Sequence, residues 1–541
     1  MNRSKMLARV RTRTTPWDIV IVGGGSVGMG IAVDAASRWL EAASCGLDVL
    51  LVEQGGLGQA SSSRSTKLAH GGVRYLEQGN FKLVMHALKE RELMKRNAPH
   101  LVHDLPFVLP AYRWWEIPFY GIGLKIYDAL ATFGGFSGKS GFGRSRILSK
   151  AEVLRQVPTI KTAGLLGGVL YHDGQFDDTR FLISLASTAT DCGATLLNYV
   201  KVTSPLEDEH GQVEGVLAQD MESGEQFTIK AKIVINATGV FTDQFRRLAN
   251  SQAKQLIAYS QGVHLVVDRA HMPGNTAIIV PKTEDGRVLF IIPWKEEFVL
   301  LGTTDTPIDT PTLEPMAQAQ EIAFILNTAS QYLSRPVTEA DIKSIMVGIR
   351  PLAKGDGAQS TAGLSRDHCL HLDENGLLSV FGGKWTTYRL IAQDAVDLAL
   401  KLAGLKARPC LTENLKIHGY CLGENSSAAD EATAHLCVYG ADARLIQSMI
   451  AENKILGERL HSSFPYCQAE VIWAVRMEMC RTVEDFLARH VRALFLNAEA
   501  AAAMAPEVAK LMAVELGQDE AWQNAQVLAF QALARKYSSA P

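Results

Sequence analysis

Gly23, Gly25 and Gly28 form a G-x-G-x-x-G pattern between a short apolar run, residues 18–22, and a small-residue helical segment that opens at Ser26. Glycines there let bare backbone approach a pyrophosphate, and the helix N-terminus offers that anion unpaired N–H groups and the positive end of its dipole. The next apolar run, residues 48–53, ends in Glu53, a carboxylate placed to accept hydrogen bonds from ribose hydroxyls. Strand, glycine turn, helix, strand and acid in this order predict a Rossmann-like dinucleotide-binding unit. The acid comes later than the usual roughly 20 residues because the first helix and its loop run on through Trp39 to Gly46.

At 541 residues the chain exceeds one compact core, since domains average roughly 100–200 residues. After residue 178 a helix to Cys192 is followed by strand-like runs at 195–203, 213–219 and 227–235, the last entering Asn236-Ala237-Thr238-Gly239. From 262 to 306 short apolar runs alternate with Pro and Gly turns, which predicts a mainly antiparallel sheet separate from the nucleotide fold. A strand at 378–381 feeds Gly382-Gly383-Lys384 and a helix over about 387–403; beyond Pro409 only helical spacing remains, as in 469–496 and 498–537.

The expected fold is therefore α/β: a Rossmann-like dinucleotide-binding domain, which through Asn236 to Gly239 resembles the two-dinucleotide-binding flavoprotein type, an inserted antiparallel-sheet substrate domain and a helical C-terminal domain. The expected divisions are 17–404 for the oxidoreductase region and 405–541 for the helical domain. Within the first, 17–80, 165–255 and 345–404 bind the cofactor, and 81–164 and 256–344 form the substrate domain.

A net charge of -3 with 21% charged residues argues against a nucleic-acid partner. The eight cysteines are scattered without C-x-x-C or zinc-like spacing, so a reducing compartment and no metal are expected. The longest apolar stretch, 19–33, carries five glycines and is too short to span a bilayer. Residues 1–16 hold Arg3, Lys5, Arg9, Arg11 and Arg13 and no acid, which reads as a frayed basic tail. Residues 109–127 are the most aromatic, with Trp114 and Trp115 at their centre. Aromatic stripes usually pack inside, so burial is expected, and exposure of those two tryptophans is the check.

Several blocks together resemble the FAD-dependent glycerol-3-phosphate dehydrogenase family. The first signature is Val22 to Gly28 with Ala32, Asp34 and Arg38, and the second, complete, runs from Gly382-Gly383-Lys384-Trp385-Thr386-Thr387-Tyr388 to Ala392. Also similar are Ser65-Thr66-Lys67-Leu68-Ala69-His70-Gly71-Gly72-Val73-Arg74-Tyr75-Leu76, Leu301-Gly302-Thr303-Thr304-Asp305-Thr306-Pro307 and Gly348-Ile349-Arg350-Pro351-Leu352. Met29 and Trp39 depart from the first signature, a matter of helix packing rather than chemistry. The block at Asn236 to Gly239 resembles the second nucleotide contact of two-dinucleotide-fold flavoproteins, which favours FAD over NAD; a plain strand-to-loop turn is the alternative.

The resemblance implies oxidation of sn-glycerol 3-phosphate to dihydroxyacetone phosphate by hydride transfer to FAD, with electrons passed to a quinone. Such chemistry needs a base for the hydroxyl proton, a clamp for the phosphate dianion and a dry flavin face. His264 is the expected base, and Arg350 and Arg74 form the clamp, because a guanidinium fork matches phosphate. Lys384 meets substrate or flavin, and Tyr75 adjoins the clamp. Cofactor contacts are expected from Gly23, Gly25, Gly28, Glu53, Thr66, Lys67, His70, Gly71, Gly239, Gly383, Lys384, Trp385 and Thr386. An oxidase using dioxygen, or a non-catalytic flavoprotein, would share the glycines, and the second would have no need of paired arginines.

Quinone use implies peripheral contact with the cytoplasmic face of the inner membrane by an otherwise cytoplasmic protein. Anionic lipid could meet the basic tail or Arg476, Arg481, Arg489 and Arg492, although intramolecular ion pairs are the commoner use of such arginines. A homodimer is compatible with all of this.

Overall fold

The computed structural model of the chain describes residues 1–39, 46–73, 79–133, 141–281, 283, 287–354, 367–422 and 431–539. Its first layer grows from the strands Ile19–Val22 and Val49–Val52, both buried along their whole length and paired in parallel, Val22 opposite Val52. A strand buried on both faces must be covered on both, and helices cover the side of Ile19, Ile21, Val49 and Leu51. The sheet runs in the order His368–Leu372, Leu378–Gly382, Val234–Asn236, Ile19–Val22, Val49–Val52, Thr195–Leu197, with only the first pair antiparallel. The helices Ser26–Ser37 and Tyr388–Leu402 cross in close contact. A Cβ at Gly30 would lie 2.9 Å from the Tyr388 ring and 3.3 Å from Ala392 Cβ. Asp34 and Arg38 of the first signature fasten that crossing: the guanidinium pairs with Asp34 at 2.6 Å and with Asp397 on the second helix at 2.5 Å.

The second layer is a ten-stranded, mainly antiparallel sheet. Its long strands are Val102–Ala111, Gly167–Phe176 and Ile257–Asp268, and Ile342–Ala353 pairs with the last of these. The sheet reaches past the divisions expected from sequence: Gly167–Phe176 and Ile342–Ala353 lie in stretches assigned to cofactor binding. The reason is that their hydrogen-bond partners far back along the chain, Val102–Ala111 and Ile257–Asp268, draw them into the substrate sheet. A smaller three-stranded sheet, Val200–Glu207, Val213–Asp220 and Gln226–Lys230, covers the other face of the first layer, where Val20, Val22, Leu50 and Val52 pack against Val202, Val216 and Ile229.

After residue 405 the described chain is mostly helical, with Gln468–Met477, Ala498–Leu516 and Glu520–Arg535 the regular pieces. The run 469–496 is not one helix. Left-handed backbone at Met479 and Arg492 breaks it into Gln468–Met477, a π-helical turn Asp485–His490 and the short Ala493–Leu496.

Two expectations are corrected. The basic N-terminal segment is a helix, Arg3–Thr12, capped by Asn2, with Leu7 and Val10 buried. Its countercharges lie far along the chain: Arg3 pairs with Asp220 at 2.6 Å and Glu222 at 3.0 Å, Arg9 and Arg13 with Asp48. The aromatic stretch is not buried as a block either. Trp114 is 78% exposed and Trp115 40%, and both precede the helix Glu116–Phe133, whose outer face carries the exposed Phe119, Ile122 and Ile126. Positions i, i+3 and i+7 share one helix face, while Leu124 and Tyr127 face inward and are buried.

Candidate active site

The glycine turn meets its physical requirements. Gly23 has φ +114° and lies under Ala237, whose carbonyl oxygen would be 2.5 Å from an added Cβ; at Gly28 a Cβ would meet Gly23 O at 2.0 Å. Gly25 is the N-cap of Ser26–Ser37 and brings no side chain of its own to the helix end, where Ser62 Oγ takes the first N–H, that of Ser26. Glu53 closes the turn from the neighbouring strand, its two oxygens accepting from Gly24 N at 2.7 Å and Gly55 N at 2.9 Å. Burial raises its pKa, while those N–H donors oppose the shift. Each carboxylate oxygen keeps a lone pair for a ribose hydroxyl. The bare turn, the glycine at the helix N-cap and this acid fit a dinucleotide.

A chain of contacts leads from that turn into the second layer. Ser62, in the 3-10 turn Ser61–Ser63, accepts from Ser26 N at 2.9 Å, and its carbonyl accepts from the Trp385 indole at 2.8 Å. Trp385 and Thr386 belong to the 3-10 turn Trp385–Thr387 that follows Gly383 (φ +72°) and Lys384, and Thr386 Oγ1 accepts from His70 N at 3.2 Å. Gly71 follows His70 in close packing. A Cβ there would be 2.2 Å from the Tyr127 hydroxyl, and its N–H points to Asp173 at 3.3 Å. Gly239 (φ +59°) begins the turn after Val234–Asn236, on the other side of Gly23.

The substrate sheet brings His264 and Arg350 together. Ser260 is opposite Arg350, Gly262 opposite Gly348 and His264 opposite Met346 on adjacent antiparallel strands, so all six point to one face. His264 is also opposite Gly302 on its other side. The three glycines let neighbouring groups come down onto this face, the Arg64 backbone at Gly348 among them. A Cβ at Gly262 would lie 2.4 Å from Arg350 Nη2, and at Gly302 it would lie 2.5 Å from His264 Cδ2. The Arg350 guanidinium thus lies over Gly262, two residues along the strand from His264. It donates to Thr304 O and Thr303 Oγ1, both at 3.2 Å, and approaches Asp305 at 3.5 Å. His264 is 2% exposed, and burial, then Arg350 and Lys67, hold its pKa well below the ordinary histidine value. The ring is neutral near neutral pH and able to accept a proton.

One of the residues expected to contact the cofactor has its side chain turned inward. Lys67 is fully buried, its ammonium donating to Ser63 O at 2.7 Å and to Asp178 at 2.5 Å, and its N–H and carbonyl are taken by Ser65 and Phe176. Its side chain is committed to an internal ion pair. Thr66 faces the substrate sheet, with Oγ1 3.0 Å from His264 Nε2. Arg74 and Tyr75 lie outside the described residues. Sequence reasoning missed Ser62, which joins both cofactor signatures, and Asp178, which holds the 65–67 loop. Only the run of serines beside the S-T-K block hinted at the first, and nothing local pointed to the second. In the C-terminal domain His435, Cys467 and Glu470 gather within 4.8 Å of one another. Glu470 is engaged there in the capping box of Gln468–Met477.

Fold and site together define a flavoprotein oxidoreductase. Residues 18–389 match the family described as FAD dependent oxidoreductase, and residues 398–523 match the C-terminal domain of alpha-glycerophosphate oxidase. The chain is 39% identical over 550 residues to a mitochondrial glycerol-3-phosphate dehydrogenase of Arabidopsis thaliana, covering 95% of this chain and 85% of that one. It is 37% identical over 535 residues to the human mitochondrial glycerol-3-phosphate dehydrogenase, covering 94% and 71%. A solved glycerol-3-phosphate dehydrogenase of Bacillus halodurans complexed with FAD superposes with a TM-score of 0.79 at 27% identity, over 100% of this chain and 98% of that one. The chain belongs to the FAD-dependent glycerol-3-phosphate dehydrogenase family, and FAD is its cofactor.

Proposed function

We propose that the chain oxidises sn-glycerol 3-phosphate to dihydroxyacetone phosphate and passes the electrons to a quinone at a membrane surface. The observation that carries the reading is the placement of His264 beside Arg350 on one sheet face, where Gly262 and Gly302 leave room for the guanidinium and the ring. FAD supplies the hydride acceptor. Arg350 clamps the phosphate dianion, with Lys384 as a further cation and Arg74 as the second arm read from the sequence. His264 takes the C2 hydroxyl proton while the C2 hydrogen departs as hydride and the carbonyl forms, so the atoms and charge balance. Burial of His264 keeps that transfer away from water.

The quinone part rests on the outward face of Glu116–Phe133. Trp114, Phe119, Ile122, Ile126 and the adjacent Ile147 are exposed, with Arg113, Lys125, Arg144 and Arg146 around them, the composition of an interfacial helix. Among the described residues no helix is long and apolar enough to cross a membrane, so contact would be peripheral.

Anaerobic addition of glycerol 3-phosphate to the purified FAD-loaded protein should bleach the flavin absorbance, and a soluble quinone should restore it. No bleaching overturns the substrate; rapid dioxygen uptake without a quinone requirement overturns the acceptor.

A further inference from the structure

A base at His264, the reading on which this inference rests, needs a partner that aims its ring. His264 sits mid-strand with its Cδ2 edge pressed on Gly302. Nε2 lies 3.0 Å from Thr66 Oγ1, whereas Nδ1 is buried and meets no hydrogen-bond partner among the described residues. A neutral imidazole carries one N–H and one lone pair. With the proton on Nδ1 a buried donor would be stranded. With it on Nε2 the N–H donates to the Thr66 hydroxyl and only a lone pair is left open, the less costly arrangement because orphaned donors are the rarer and more penalised group.

We propose that Thr66 is the positioning residue for His264: its hydroxyl oxygen accepts from Nε2–H, fixes the tautomer and leaves the Nδ1 lone pair to take the C2 hydroxyl proton. Once Nδ1 is protonated the same bond becomes charge-assisted, so Thr66 stabilises the imidazolium. The cations facing the ring, Arg350 and Lys67, together with burial, act in the opposite direction. Thr66 can aim its hydroxyl because both its neighbours are anchored to one carboxylate, Ser65 Oγ to Asp178 at 2.7 Å and Lys67 Nζ to Asp178 at 2.5 Å. The buried Lys67–Asp178 pair is therefore the mount for this loop, which explains an S-T-K block whose lysine does not reach outward.

The test is anaerobic stopped-flow reduction of the FAD-loaded enzyme by glycerol 3-phosphate across pH, for Thr66→Val, Thr66→Ser and His264→Ala. Thr66→Val should slow flavin reduction about tenfold or more, a share of the roughly 100-fold or greater effect of a general base. Its acid limb should move to lower pH, because the imidazolium loses an acceptor. Thr66→Ser should restore both. A Thr66→Val enzyme with the parent rate and acid limb, directly or after reloading with FAD, overturns the proposal while a slow His264→Ala keeps the base. If His264→Ala itself reduces flavin at the parent rate, the base reading falls and takes this inference with it.

Discussion

Arg350 is shaped as much by absent side chains as by present ones. Gly262 leaves the space its guanidinium fills, and Thr303 and Thr304 hold the fork from one side. Arg350→Ala should raise KM for glycerol 3-phosphate roughly 10- to 150-fold, the size of about 1.5–3 kcal/mol for a hydrogen bond to a charged group. FAD content, read from the visible spectrum, should stay at the parent level. Normal KM would remove Arg350 from the clamp. The Gly23–Gly28 turn could be read from sequence because it is defined by neighbours within a few residues, whereas the roles of His264 and Arg350 as base and clamp come from the family resemblance. The inward turn of Lys67 could not be read because its partner Asp178 is 111 positions away, and a lysine beside a threonine in a glycine-rich loop looks the same whether it points in or out.

The helix Glu116–Phe133 has two faces with separate duties. Leu124 and Tyr127 bury the inner one, and the Tyr127 hydroxyl donates to Asp173 at 2.9 Å beneath Gly71. The outer row, Phe119, Ile122 and Ile126, is apolar and 54%, 64% and 45% exposed, and fully burying each side chain is worth roughly 1.5–3 kcal/mol. Replacing Phe119, Ile122 and Ile126 by serine should cut co-sedimentation with anionic phospholipid vesicles severely, while bleaching of the flavin by glycerol 3-phosphate proceeds normally. Unchanged co-sedimentation would mean that lipid is met elsewhere. The arginines of the C-terminal region are poor candidates for that: Arg476 pairs with Glu515, Arg481 with Glu222 and Arg489 with Asp485, and Arg492 is fully buried on Thr179 and Ser63. The sequence marked this helix as aromatic, but richness in aromatics is common to cores and interfaces alike, and only the packing of Leu124 and Tyr127 turned Phe119 and Ile122 outward.

At the scale of the whole molecule the C-terminal domain is fixed to the nucleotide-binding layer by charge. Arg180, on the helix Asp178–Asp191, makes a bidentate pair with Glu478 at 2.7 and 3.0 Å, and Glu478 also meets His490 at 2.7 Å. Breaking such a buried pair costs about 3–5 kcal/mol. At the other end of that helix His418 lies between Asp191 at 2.6 Å and Asp442 at 2.8 Å, and hydrogen bonds to the two carboxylates raise its pKa to about 9. Because the folded value exceeds the unfolded one, this contribution to stability is complete below about pH 6.5. It is lost as pH rises through about 9. His418→Gln should therefore lower the melting temperature at pH 6 and have little effect at pH 10. An equal loss at both pH values would show that His418 acts by packing alone.

By itself the sequence determined the local patterns: the glycine turn followed by its acid, the strand and helix periodicities, and the helical character of the last quarter. These follow from short-range rules of backbone freedom, periodicity and hydrogen-bonding type. Only the tertiary structure decided which charges are spent internally, as with Lys67, Arg492 and the N-terminal helix. It likewise decided which apolar faces stay outside, and which hydroxyl meets His264. Those outcomes depend on partners brought together from far along the chain, Asp178 to Lys67, Asp220 to Arg3 and Thr66 to His264, and no local pattern encodes the identity of a partner that distant.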